Sequence, residues 1–198
     1  MKRNISKISS SVILAVLFVF IGDCRPGDED PEDGSSLAQI LMVSNINGSV
    51  WHGRPLWNSC EYTPGSITGI SSCLVFENAY TKLYNSEPHN MSVVLTLNGA
   101  AVEGKILILL PDFNLSPFQC EISVAGSTFY NPFTEITALS LSQVSPCISP
   151  SGNTVNLIKY NSHIYSDNQN GSAEFDLIDA PSSDRIKMGF VFEISKVI

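Results

Sequence analysis

The chain has 198 residues, a net charge of −8 and charged side chains at only 15% of its positions. That length suits one ordinary domain with a sizeable core. A surface this acidic, with no basic stripe, repels phosphate backbones and excludes nucleic acid as a partner.

The first element is a leader-like segment. Lys2, Arg3 and Lys7 precede an apolar run at 12–21, which breaks at Gly22, Asp23 and Cys24. As a helix, about ten residues rise roughly 15 Å, half of a bilayer core about 30 Å thick. The run is too short to span a membrane. A basic start, a short apolar stretch and a polar break describe an export signal.

The four residues Ile21, Gly22, Asp23 and Cys24 resemble the lipobox of bacterial lipoproteins. Asp23 stands where that family prefers Gly, Ala or Ser, so the looser spirochaetal type is the nearer pattern. The resemblance covers residues 1–24 alone. It implies a signal peptide at 1–23 and palmitate-type acylation at Cys24. It also implies anchorage to the bacterial cell envelope, at the outer membrane or cell surface. Each buried methylene contributes about 0.8 kcal/mol, so two or three acyl chains hold firmly. Without the lipid, the expectation is a secreted or periplasmic protein. Residues 24–36 read as a tether, because 28–33 is acidic, contains Pro31 and lacks apolar anchors.

The remaining domain, 37–198, reads as strands. A short apolar run lies at 37–43, a brief β-type stretch at 74–76, and clean alternation at 91–97 before Asn98 and Gly99. A near-continuous apolar run at 105–110 closes at Pro111. Stretches 121–125, 133–141 and 155–160 continue the pattern, the middle one with neither register clean. Residues 164–165 and 173–178 flank a polar hairpin tip. In 185–194, Ile186, Met188, Phe190, Phe192 and Ile194 share one face. Prolines punctuate the chain and no strong 3.6-residue stripe is visible. The expectation is an all-β domain, a single sandwich of about nine to eleven short antiparallel strands, immunoglobulin-like or jelly-roll.

The five cysteines sort by parity. Setting Cys24 aside leaves Cys60, Cys73, Cys120 and Cys147. An even number in an exported domain suggests two disulfides. Of three connectivities the sequence-local one, Cys60 with Cys73 and Cys120 with Cys147, is favoured. No C-x-x-C pair or H-E-x-x-H motif points to a metal, and no cofactor motif is present.

Chemistry is sparse. His52, His89 and His163 lie far apart in sequence. The glycines of 65–69 are spaced like a nucleophile elbow, but Ile67 sits where that motif needs serine. Glu121, Glu135, Glu174 and Asp176 fall on expected strands, where acids commonly face solvent. The best binding candidate is 51–57, which holds both Trp51 and Trp57 with His52 and Arg54 between them. The competing assignment puts both rings in the core. The resulting expectation is an envelope-anchored binding module for a protein or carbohydrate ligand. An exported hydrolase with converging carboxylates and a structural envelope protein are the alternatives.

Overall fold

The computed structural model describes residues 46–65, 72–98 and 101–198. The expected signal peptide, Cys24, the tether and the run at 37–43 lie outside them, as does most of the 65–69 loop.

Among the described residues there are ten strands and one helix. In chain order they are β1 (Ser49–Gly53), β2 (Leu56–Thr63), α1 (Cys73–Ser86), β3 (Met91–Asn98), β4 (Ala101–Pro111), β5 (Pro117–Asn131), β6 (Ile136–Ser145), β7 (Cys147–Ile148), β8 (Thr154–Ile164), β9 (Asn168–Asp179) and β10 (Asp184–Lys196). The all-β expectation holds. The sandwich does not: the sheet runs β1-β3-β4-β5-β6-β8-β9-β10, and β1 then pairs with β10. Eight antiparallel strands therefore close into a barrel, with β2 and β7 as outer additions. An eight-stranded ring is just wide enough for side chains to fill its interior.

Period-two alternation builds that interior. The five residues of β10 expected on one face are all buried: Ile186, Met188, Phe190, Phe192 and Ile194. Of their outward neighbours, Lys187 is half-buried and Glu193 is exposed. In β8 the inward set changes parity, from Val155 and Leu157 to Tyr160, Ser162 and Ile164. A bulge between Leu157 and Lys159 absorbs the change and leaves Ile158 half in water. The unclean register expected at 133–141 has a simple cause. Phe133 belongs to the turn and is 97% exposed, while Thr137, Leu139 and Leu141 of β6 point inward.

Two seams interrupt the wall at the end where β4 meets β5. The first follows from Pro55. β1 and β2 lie in tandem along one edge of β10 in a single register, from Trp51 opposite Lys196 to Leu56 opposite Val191. Arg54 and Pro55 break the strand between them, and proline has no N–H for the ladder. Beyond the break β3 no longer flanks this edge, because it begins at Met91 opposite Gly53. Helix α1 packs against both β2 and β4 and covers the opening. Phe76 and Tyr80 are its buried residues, with Phe76 edge-on to Phe113 and Tyr80 against Phe190. This helix corrects the β-type reading of 74–76.

The second seam lies where β6 diverges from β8, past the pair Leu141 and Tyr160. Gln143 bridges it, accepting from the Leu157 N–H at 2.6 Å and donating to Asn156 Oδ1 at 3.3 Å. β7 pairs with the freed start of β8.

Both favoured disulfides are present, each beside a seam. Cys60–Cys73 ties β2 to the first residue of α1, with Cα atoms 5.8 Å apart. Cys120–Cys147 ties β5 to β7 at 5.6 Å. Asp112 adds a polar lock between turns. It accepts from the N–H groups of Asn114 and Ser116 and from the Ser151 hydroxyl.

Candidate functional site

Strand alternation decides the fate of segment 51–57. Trp51 points inward and is 1% exposed, with its indole N–H donating to Ser49 Oγ at 2.9 Å. Trp57 is half-buried, edge-on to Phe190 and tilted against Tyr80. Trp51 thus belongs to the barrel core, and Trp57 packs against that core with part of its ring left accessible.

The same alternation sends His52, Arg54 and Leu56 to the outer surface. At the Pro55 break the Arg54 side chain is fixed from two sides. Its Nε donates to the Pro88 carbonyl at 2.8 Å, and its guanidinium lies 5.6 Å from the Tyr84 ring centre. That distance is a cation–π contact. A hollow of about 580 Å³ opens here, lined by Arg54, Leu56, Tyr84, Asn170, Val191 and Glu193 among others. Its walls combine one guanidinium, one carboxylate, one amide and two aliphatic side chains around a phenol.

His52 and His89 meet beside this segment. Their ring centres are 5.4 Å apart and their planes are tilted by 49°. His163 stands elsewhere, on the outer face of β8 by a hollow of about 330 Å³ that Phe129 also lines. A further shallow hollow of about 560 Å³ covers the outer face of β3, β4 and β5. Lys105, its cationic side chain, is already paired with Glu121 at 2.5 Å.

No protein-family model matches the chain, and no curated protein or solved structure matches it either. The reading of the site therefore rests on its own geometry.

The acids expected to converge for hydrolysis are engaged or dispersed. Glu121 pairs with Lys105, and the buried Asp176 pairs with Arg185 through both carboxylate oxygens. That carboxylate raises the Arg185 pKa above its ordinary value. Glu135 sits in the β5–β6 turn with φ at 56°, and Glu174 is exposed on β9. Among the described residues, no three His, Cys, Asp or Glu side chains gather as a metal-binding group.

Sequence reasoning found Arg54 and His52 but missed Tyr84, Asn170 and Glu193. Tyr84 was legible only with the helix in hand, through the spacing of Phe76, Tyr80 and Tyr84. Asn170 and Glu193 carry no local signal, since it is the barrel that brings β9 and β10 beside residue 54.

Proposed function

We propose that the chain is a lipid-anchored binding module of a bacterial envelope, held through Cys24 and displaying the Arg54 hollow to a carbohydrate ligand. The observation that carries the ligand reading is the Arg54–Tyr84 pair. Arg54 is held by two contacts before any ligand arrives, so less side-chain entropy is lost when its remaining N–H groups donate to a ligand. Asn170 and Glu193 supply an amide and a carboxylate suited to sugar hydroxyls, and Leu56 and Val191 offer apolar contact for a ring face.

The barrel wall supports an anchor supplied from outside the fold. Its interior is mostly apolar, while its outer face carries Glu103, Lys105, Glu121, Lys159, Lys187 and Glu193. Membrane-spanning barrels have the reverse pattern, and a lysine or arginine on a lipid-facing wall costs about 2–4 kcal/mol at mid-bilayer. A domain with this exterior stays in water, and acyl chains on Cys24 are what would hold it to a membrane.

Two experiments test the proposal. Intact mass and N-terminal peptide analysis of membrane-extracted protein should find a lipid adduct on Cys24, with Cys24→Ala moving the protein to the aqueous phase. An unmodified Cys24 would sink the anchor. A glycan panel should then find binding that Arg54→Ala and Tyr84→Ala abolish with folding intact. Glycan binding that both variants retain would remove the hollow as the site.

A further inference from the structure

We propose that His52 and His89 form a two-histidine site for a divalent transition-metal ion, zinc or copper, with solvent completing the coordination. The proposal is independent of the carbohydrate reading.

Geometry is the first support. With Zn–N bonds of about 2 Å at a tetrahedral angle, the centres of two ligating imidazoles lie roughly 5 Å apart. The observed separation is 5.4 Å. The 49° tilt sets the two rings at an angle to each other, not face to face.

Preorganisation is the second. His52 lies in the short stretch of β1 that is paired on both sides, opposite Ser92 of β3 and Ser195 of β10. The backbone around His89 is held just as firmly. The Asn90 N–H donates to the Gly53 carbonyl at 3.1 Å, and the Asn90 carbonyl accepts from Leu109 at 2.9 Å. On the other side, the Pro88 carbonyl accepts from Arg54. A metal ion bridging the two rings therefore meets ligands whose backbone is already placed, and only side-chain torsions remain to be ordered.

Access and chemistry agree. His89 is exposed and His52 is half-buried, so an ion can arrive from solvent and retain water ligands. Imidazole suits zinc, copper and nickel, and affinity in this series peaks at copper. The net charge of −8 favours cations near the surface.

The test is calorimetric titration of the full chain, without a histidine tag, with zinc chloride and separately with copper chloride. Cys24→Ser is included throughout so that a lone thiol does not compete. The expected result is one saturable ion per chain, tighter for copper, with a rise in melting temperature on loading. His52→Ala and His89→Ala should each weaken binding at least tenfold, and His163→Ala should leave it unchanged. The double variant should be no weaker than either single one, because one missing ligand already breaks the bridge. Far-ultraviolet dichroism checks that the variants fold. Absence of saturable binding in the parent chain would overturn the proposal. So would wild-type affinity in either single variant, or losses that add in the double variant, which would mean that each ring binds alone.

Discussion

The Tyr80 hydroxyl donates a 2.6 Å hydrogen bond to the carbonyl of Pro55, pinning the middle of α1 to the point where β1 gives way to β2. The bond is buried and links residues from either side of the seam. It makes the helix part of the wall and gives Tyr80 two separable roles, as a filler and as a donor.

Tyr80→Phe keeps the ring and removes the donor. The Pro55 carbonyl then loses its partner, at a cost of about 1–2 kcal/mol. Alkaline pH tests the same residue in the parent chain. Burial pushes the Tyr80 and Tyr160 phenols above the ordinary 10.0. The folded state therefore holds protons that the unfolded state releases, so their contribution to stability is intact below pH 10.0 and is lost as pH climbs above it. Urea denaturation from neutral pH upward should show a plateau and then a decline. The Tyr80→Phe curve should start lower and decline less steeply.

Removing the Cys60–Cys73 bridge should loosen the helix. The two residues are 13 apart in sequence, and closing such a loop contributes about 3 kcal/mol in the chain-entropy model. Cys73→Ala should lower the unfolding free energy by that order, and the Cys60→Ala, Cys73→Ala pair should add little more. Free-thiol counting in denaturant checks the oxidised state of the parent chain.

Asp176 and Arg185 should respond unequally to substitution. The Asp176 side chain is 4% exposed and that of Arg185 is 46% exposed. Arg185→Met strands a carboxylate that water cannot reach, while Asp176→Asn leaves a neutral amide beside a guanidinium that solvent still hydrates. Equilibrium unfolding should rank Arg185→Met as the more destabilised. The opposite order would mean that the pair acts through packing of the arginine stem.

Gly126 marks a place where two strands approach too closely for a side chain. A Cβ built there falls 1.9 Å from the Ser140 carbonyl oxygen on β6. Gly126→Ala must push β5 away from β6, an overpacking change that costs about 1–3 kcal/mol. A midpoint unchanged from the parent would show that the barrel flexes freely there.

Strands were legible where a single face is buried. β10 and β3 announced themselves because Ile186 to Ile194 and Met91 to Leu97 alternate without interruption. α1 was not legible, since its inward stripe is aromatic, consists of only the buried Phe76 and Tyr80 and the half-buried Tyr84, and is diluted by Asn78, Thr81 and Asn85. Local cysteine spacing gave the disulfide pairing. Closure into a barrel left no trace, because it depends on Trp51 facing Lys196, a contact between the first and last strands. For the same reason the half of the Arg54 hollow supplied by β9 and β10 had no signature around residue 54.

Ring closure has a kinetic meaning. β3 to β10 can zip up hairpin by hairpin, but β1 finds its second neighbour only when residues 194–196 are available. A ribosome must release the chain through residue 196 before the last pairing forms, and long-range pairing of this kind is slow. The barrel therefore stays open until β10 has emerged. Until then β1 and β10 each keep an unpaired edge, a template on which a strand of another chain can add.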